Sequence, residues 1–196
     1  RSILLEIGFV SFLFLGSSFN DATLAANQIL IQFLSITVHA LDGFAFAAET
    51  LVGQALGSKN RTLFRRSVLM TSQWGLGTVI LMALAFFVFG NSIINIMTTA
   101  EDVRTISYEY LPWMVVAPLA GVAAWMLDGI FIGATRTADM RNMMFISFCV
   151  YLIALAFLLP IYGNHGLWAS LIIFSIARGV TLGFKYPALE KSSESK

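Results

Sequence analysis

The stretch IQFLSITVHALDGFAFAAETLVG, residues 31–53, is too apolar for the surface of a soluble protein, yet it carries charged side chains. At about 100° per residue, one helical arc of about 100° collects nearly all the polar groups around it. This arc, which we call the polar stripe, contains Gln28, Gln32, Ser35, His39, Asp42, Phe46, Glu49 and Gly53. Because ionisable groups are costly inside a membrane, we expect the stripe to face a bundle interior or a wet cavity.

The composition is that of an integral membrane protein. Hydrophobic residues make up 58% of the 196 residues and charged residues only 12%, about half the charged share of a soluble domain. The net charge of +1 leaves no basic face for nucleic acid once the Lys and Arg residues have set the topology. The sequence has one cysteine and no paired-histidine, Walker or nucleophile-elbow motif, so it indicates neither an enzyme nor a metal centre.

Six apolar runs are long enough to cross roughly 30 Å of hydrocarbon. They predict an all-α membrane protein with spans at residues 3–19, 24–56, 68–89, 111–135, 143–159 and 167–184, followed by a polar cytoplasmic tail at 185–196. Eleven of the twelve Lys and Arg residues fall on one side of this map, which predicts that both ends are cytoplasmic. The chain begins at Arg1 without an initiator Met, and we expect a fragment of a longer protein.

Asp128 is the most isolated acid in the sequence. It lies in WMLDGIFIGA, residues 125–134, with no charged residue within seven positions on either side. Burial without a countercharge favours the protonated carboxyl, so Asp128 could take up and release a proton. The alternative is a structural hydrogen bond to backbone or to Arg136. The Leu-Asp-Gly of residues 127–129 echoes that of residues 41–43, so the two aspartates could meet across the bundle.

The other candidate residues lie on spans one and two. Asp42 and Glu49 are two helical turns apart, too far for a close pair but suited to successive stations for a proton or cation. His39 lies one turn from Asp42 and could relay a proton, or it could simply be packed. Glu49 could instead pair with Lys59 or Arg61. Glu6 would lie near mid-depth if its helix begins before Arg1, and would otherwise snorkel to the surface.

Three blocks of the sequence carry a family resemblance. They are AANQI at 25–29, LDGFAFAAETLVGQALGSKNR at 41–61 and LDGIFIGATRTADMRNMM at 127–144. Together they resemble the C-terminal lobe of MATE (multidrug and toxic compound extrusion) transporters, in the DinF-like branch. The resemblance implies a twelve-helix transporter of the bacterial inner membrane, with this chain as spans 7 to 12 and a missing N-terminal lobe, spans 1 to 6, as its partner. Asp128 then matches a carboxylate of the tenth helix, and Glu6 an acid that some branches carry in the seventh.

The functional hypothesis that follows is an antiporter that exports cationic or amphipathic drugs in exchange for H+ or Na+, without a prosthetic cofactor. A proton or Na+ at Asp128 would compete with the cationic substrate, and the lobes would rock to give alternating access. The cavity would be lined by Gln28, Gln32, Ser35 and Trp125, with Trp125 and Phe46 offering cation-π surface.

Two alternatives remain open at the level of the sequence. A lipid-linked precursor flippase of the same superfamily would need a basic cavity, and Arg178 is the only basic residue well inside a span. A non-transporting membrane subunit, in contact with lipid and a protein partner, would use the intramembrane acids only as structural links.

Overall fold

The computed structural model describes residues 2–193, and this part of the chain folds into six α-helices with no strand. The helices are α1 (Ser2–Gly16), α2 (Asp21–Gly57), α3 (Arg61–Met97), α4 (Glu101–Gly133), α5 (Thr137–Tyr162) and α6 (Asn164–Ser192). The connections are one to four residues long, so the helix direction alternates. The prediction of an all-α, six-helix architecture is confirmed.

Five of the six helices, α2 to α6, are long and apolar enough to cross a membrane, and the apolar part of α1 is the shorter segment Glu6–Gly16. α2 and α3 contain 37 residues each, which corresponds to about 55 Å and exceeds the hydrocarbon thickness. α6 runs on to Ser192, through most of the segment that we expected to be a polar tail. The end of that tail, residues 194–196, and Arg1 lie outside the described residues.

The core of the described residues forms two larger apolar clusters, one towards each end of the bundle, and a small third cluster of Met144, Tyr151 and Phe174 between α5 and α6. We call the end that carries the starts of α2, α4 and α6 the outer end, after the predicted topology, and the opposite one the inner end. The outer cluster is built on large buried side chains that include Phe12, Leu30, Phe33, Met114 and Trp168. The inner cluster includes Val52, Phe64, Phe131, Met140 and Leu182. α2 and α4 contribute to both clusters and are the centre of the fold.

Two glycines of α4 allow α2 and α4 to touch backbone to backbone. A Cβ atom on Gly129 would lie 2.4 Å from the carbonyl oxygen of Ala45, and one on Gly133 would lie 2.3 Å from that of Glu49. Small residues four positions apart permit such close helix approach. The contact sets the register of the two helices, because Gly129 opposite Ala45 puts Asp128 level with Phe44. Asp128 and Asp42 are therefore within about two residues, or about 3 Å, of the same depth.

Candidate functional site

The polar stripe of α2 lies outside the core of the bundle. The buried face of α2 carries Leu30, Phe33, Leu34, Thr37, Leu41, Ala48 and Val52. On the stripe, Gln28, Gln32 and His39 are exposed, whereas Ser35, Asp42 and Glu49 are half-buried. The helical period therefore predicted correctly which side chains share a face. It did not reveal that much of this face would lie outside the packed core of the bundle.

Within the described residues, side chains of the stripe form hydrogen bonds to the preceding turn of α2 or form none. His39 Nδ1 lies 2.6 Å from the carbonyl oxygen of Ser35, and the Ser35 hydroxyl donates to the carbonyl of Ile31. His39 thus contacts the turn before it rather than Asp42. Among residues 2–193, Asp42 and Glu49 form no salt bridge, so the alternative in which Glu49 pairs with Lys59 or Arg61 is not formed there.

Gln28 and Gln32 line a groove at the outer end of the stripe. The groove has a volume of about 510 Å³ and is bordered by α1, α2 and the connection between α3 and α4, through residues that include Leu13, Met97 and Thr98. The two amides are the polar groups of α2 that face this space. The outer part of the stripe thus opens onto a recess large enough for a small molecule.

Asp128 does not meet Asp42. Its Oδ2 atom lies 2.5 Å from Nη2 of Arg178 on α6, and each of the two residues is 4% exposed. The guanidinium carbon also lies 5.7 Å from the centre of the Phe174 ring. The expectation of a buried acid without a countercharge was therefore wrong, because the countercharge comes from another helix. Arg178, which the sequence places well inside a span, is buried beside this acid.

The surroundings of this ion pair are closed and largely apolar. Its lining consists of Met140, Met143, Met144, Thr181 and Leu182, from α5 and α6. The space among these side chains has no room for a water molecule. Since Gly129 faces α2, its neighbour Asp128 is turned about 100° away, towards α6. The pair is separated from the polar stripe by the body of α4.

The two remaining sequence candidates lie apart from this pair and from the stripe. Glu6 is exposed on α1, in a shallow surface groove between the apolar side chains of Ile3, Ile7, Val10 and Phe14. Trp125 is half-buried; its ring lies over Gly121 one turn earlier and packs against the outer cluster. The structure thus does not gather the five acidic and histidine candidates into one site. It gives one exposed stripe and one buried pair at similar depth.

Polar networks at both ends of the bundle were not anticipated. At the outer end, Asn27 and Asn164 exchange amide hydrogen bonds of 2.8 and 3.1 Å, and Trp168 Nε1 donates to Asn27. His165, which lies in a predicted loop, receives a 3.0 Å hydrogen bond from Trp113 Nε1 and lies 3.1 Å from Glu109. These links join α2 and α4 to the start of α6, and no spacing in the sequence signals them.

At the inner end, basic residues from the start of α3 meet the end of α6. Arg61 Nε donates to Glu190 at 2.9 Å, and Arg65 Nε donates to the same carboxylate oxygen. Lys185 of α6 lies 3.9 Å from Asp139 at the start of α5. Three segments that the topology map assigned to one side of the membrane are therefore at one end of the bundle.

Comparison with known proteins gives consistent matches. The MatE family model matches residues 2–158 of the chain. The DNA damage-inducible protein F of Escherichia coli K12 is 34% identical over 190 residues, which are 93% of this chain and 39% of that protein. The probable multidrug resistance protein NorM of Bacillus cereus is 24% identical over 160 residues, 80% of this chain and 35% of that protein.

Solved structures match the fold. The crystal structure of the Vibrio cholerae MATE transporter VcmN in its bent form superposes with a TM-score of 0.83 at 22% identity, and the match covers 97% of this chain and 44% of that one. A second crystal structure, of a point mutant of VcmN, gives a TM-score of 0.84. The chain therefore spans less than half the length of the relatives it matches.

Proposed function

Because the chain belongs to the MatE family, whose members are transporters and not enzymes, we propose that it forms the C-terminal lobe of a complete efflux antiporter. The complete transporter would export cationic or amphipathic compounds in exchange for H+ or Na+. The relatives are more than twice as long as the matched region, which leaves room in them for a second lobe of similar size.

The polar stripe is the observation that supports this proposal most strongly. α2 turns Gln28, Gln32 and His39 outwards, with Asp42 half-buried beside them. The outward face of α3, in contrast, carries large apolar side chains that include Leu69, Leu81, Leu84 and Phe87, as expected against lipid. A row of amide, imidazole and carboxylate groups in contact with lipid hydrocarbon would cost too much free energy. The second lobe and a wet cavity between the lobes are the environment that such a row requires.

Asp42 is the stripe residue that we assign to cation binding. It forms no salt bridge among the described residues, and it lies at the middle of the stripe between His39 and Glu49. A carboxylate that faces a wet cavity between walls of low polarity attracts a cationic substrate, a proton or Na+. Competition among these cations for Asp42 would couple their movements in opposite directions, and Glu49 would extend the path inwards.

Asp128 takes a different part in the proposed cycle. Its charge is balanced by Arg178, so a proton or Na+ can bind Asp128 only by weakening that ion pair. Uptake of the cation would loosen the contact between α4 and α6 at mid-depth, and its release would restore the contact. An equilibrium between these two arrangements is suited to drive alternating access of the two lobes.

The state of Arg178 also bears on the flippase alternative. A carrier of lipid-linked precursors needs basic groups open to its cavity for the phosphates. Arg178 is buried beside Asp128, with 4% of the residue exposed, and is not open to a cavity. This arrangement favours efflux of cations over transfer of phosphorylated lipids.

Efflux of a cationic dye from cells that express the complete transporter tests the proposal. Asp42→Asn keeps the size of the side chain and removes its charge, and we expect the efflux rate to fall by tenfold or more at unchanged protein level in the membrane. The matched control is Asp102→Asn in the exposed first turn of α4, which should transport like the wild type. Full efflux by Asp42→Asn would remove Asp42 from the mechanism, and no efflux by the wild type would overturn the proposed function.

A further inference from the structure

An apolar groove runs along the lipid-facing side of the bundle, between α3, α4 and α6. Its volume is about 450 Å³, and its lining includes Val68, Leu69, Leu76, Met126, Leu127 and Ile130. Leu69 and Leu76 are exposed on the apolar face of α3, so the groove opens towards hydrocarbon rather than towards the polar stripe. Because the lining is apolar and faces hydrocarbon, an acyl chain is the kind of group that this groove fits.

The inner end of the groove is marked by charged residues on both of its walls. On α3, Arg65 lies three, four and seven residues before the lining residues Val68, Leu69 and Ser72, so it continues their helical face by one turn. On α6, Glu190 lies one turn beyond the lining residue Tyr186. The ion pair between Arg65 and Glu190 therefore closes the groove where it leaves the apolar region.

The guanidinium of Arg65 keeps capacity for an anionic ligand. Its side chain is 57% exposed although it binds Glu190, whose side chain is 12% exposed. Only Nε is used in that contact, and a guanidinium carries five N–H donors in a geometry that suits phosphate. The adjacent Arg66 is exposed as well. Basic groups at the end of an apolar intramembrane groove are complementary to an anionic lipid headgroup above its acyl chain.

We propose that this groove binds an anionic phospholipid, with one acyl chain between α3, α4 and α6 and the phosphate on Arg65. Apolar lining alone would accept any alkyl chain, so the preference for an anionic headgroup rests on the arginine. The site is distinct from the stripe and from the Asp128–Arg178 pair. Its test measures binding and does not depend on transport.

The experiment is native mass spectrometry of the purified complete transporter, equilibrated with equal amounts of phosphatidylglycerol and phosphatidylethanolamine of identical acyl chains. We expect the wild type to retain phosphatidylglycerol preferentially. Arg65→Gln should lower that preference about fivefold, the effect of about one basic residue near a lipid headgroup. Arg141→Gln removes an exposed arginine of α5, outside the groove, and should have no effect.

A second variant tests the groove itself. Gly183 lines the groove, and a Cβ atom on it would meet nothing within 4 Å, so Gly183→Leu places its side chain in the groove and should lower retention of both lipids. Gly77 of α3 has the same open surroundings but does not line the groove, and Gly77→Leu should bind lipid like the wild type. Unchanged lipid retention by Gly183→Leu would overturn the proposal, as would equal retention of the two lipids by the wild type.

The role of Arg65 in holding Glu190 must be separated from its role towards lipid. Glu190→Gln weakens the same ion pair but leaves the arginine charge in place. If Arg65 binds phosphate, Glu190→Gln should retain as much phosphatidylglycerol as the wild type or more. A loss equal to that of Arg65→Gln would show that the ion pair, and not a lipid contact, explains the effect.

Discussion

Replacing Arg178 by methionine should cost far more stability than replacing Arg178 and Asp128 together. Both residues are 4% exposed, and Arg178 Nη2 lies 2.5 Å from Asp128 Oδ2. Methionine occupies much of the arginine volume but removes the guanidinium charge from a closed site lined by methionines and Leu182. Removing one partner of a buried ion pair costs about 3–5 kcal/mol, because the other charge stays in a medium of low polarity.

The double variant removes that penalty. With Asp128→Asn and Arg178→Met combined, neither charge remains in the bundle, and neutral replacements of a buried pair are often tolerated. Each single variant leaves one buried charge unpaired, so the summed cost of the two single variants should exceed the cost of the double variant by at least about 3 kcal/mol.

The assay is unfolding of the complete transporter in detergent, followed by circular dichroism, for the wild type, both single variants and the double variant. A parallel cycle that combines Asp128→Asn with Lys191→Met, at an exposed position near the end of α6, should be additive. If the costs of Asp128→Asn and Arg178→Met also added to within about 0.5 kcal/mol, the two residues would be energetically independent and the proposed exchange at this pair would lose its basis.

Further predictions concern helix packing and a buried hydrogen bond. Gly129→Val should prevent assembly of the bundle, because its Cβ would lie 2.4 Å from the Ala45 carbonyl oxygen, and the yield of monodisperse protein measures this. Gly43→Ala, in open surroundings, should stabilise α2 by about 0.5–1 kcal/mol, which the thermal midpoint measures. Asn27→Leu should cost at least about 1–3 kcal/mol, because the buried Trp168 Nε1 loses its hydrogen-bond acceptor, and an unchanged unfolding midpoint would contradict the assigned network.

The sequence predicted the features that depend on local pattern. Apolar runs predict helices because backbone hydrogen bonds must be satisfied within a segment, and the six helices follow those runs. The 3.6-residue period grouped Gln28, His39 and Asp42 on one face of α2, as the structure has them. The family resemblance, carried by the blocks at 41–61 and 127–144, is confirmed by the match to the MatE family.

Contacts between distant segments were the part that the sequence could not supply. The partner of Asp128 is 50 residues away on α6, and no local spacing indicates which way α4 is rotated. That rotation is fixed by Gly129 and Gly133 against α2, a small-xxx-small signal in the sequence whose meaning depends on the neighbouring helix. For the same reason the echoed Leu-Asp-Gly triplets gave the right depth for two aspartates but the wrong contact between them.

The ends of the bundle illustrate a second cause of error. Polarity and a position between two predicted spans suggest a solvated loop, and His165 lies between the fifth and sixth predicted spans. Its side chain is 42% exposed, but it is also bonded to Trp113 and Glu109 across the start of α6. α6 also continues through the polar segment before Ser192, where Glu190 is held by Arg61 and Arg65. Tertiary partners thus ordered segments whose composition alone indicated solvent.

The most direct test of the central claim is transport by the complete protein reconstituted into liposomes, with a cationic dye and an imposed gradient of either H+ or Na+. We predict that dye moves against the direction of one of these cations, that the movement stops when that gradient is dissipated, and that Asp42→Asn abolishes it. Dye movement that ignores both gradients, or that persists in Asp42→Asn, would contradict the assignment of this chain to a cation-coupled antiporter with its cation path on the α2 stripe.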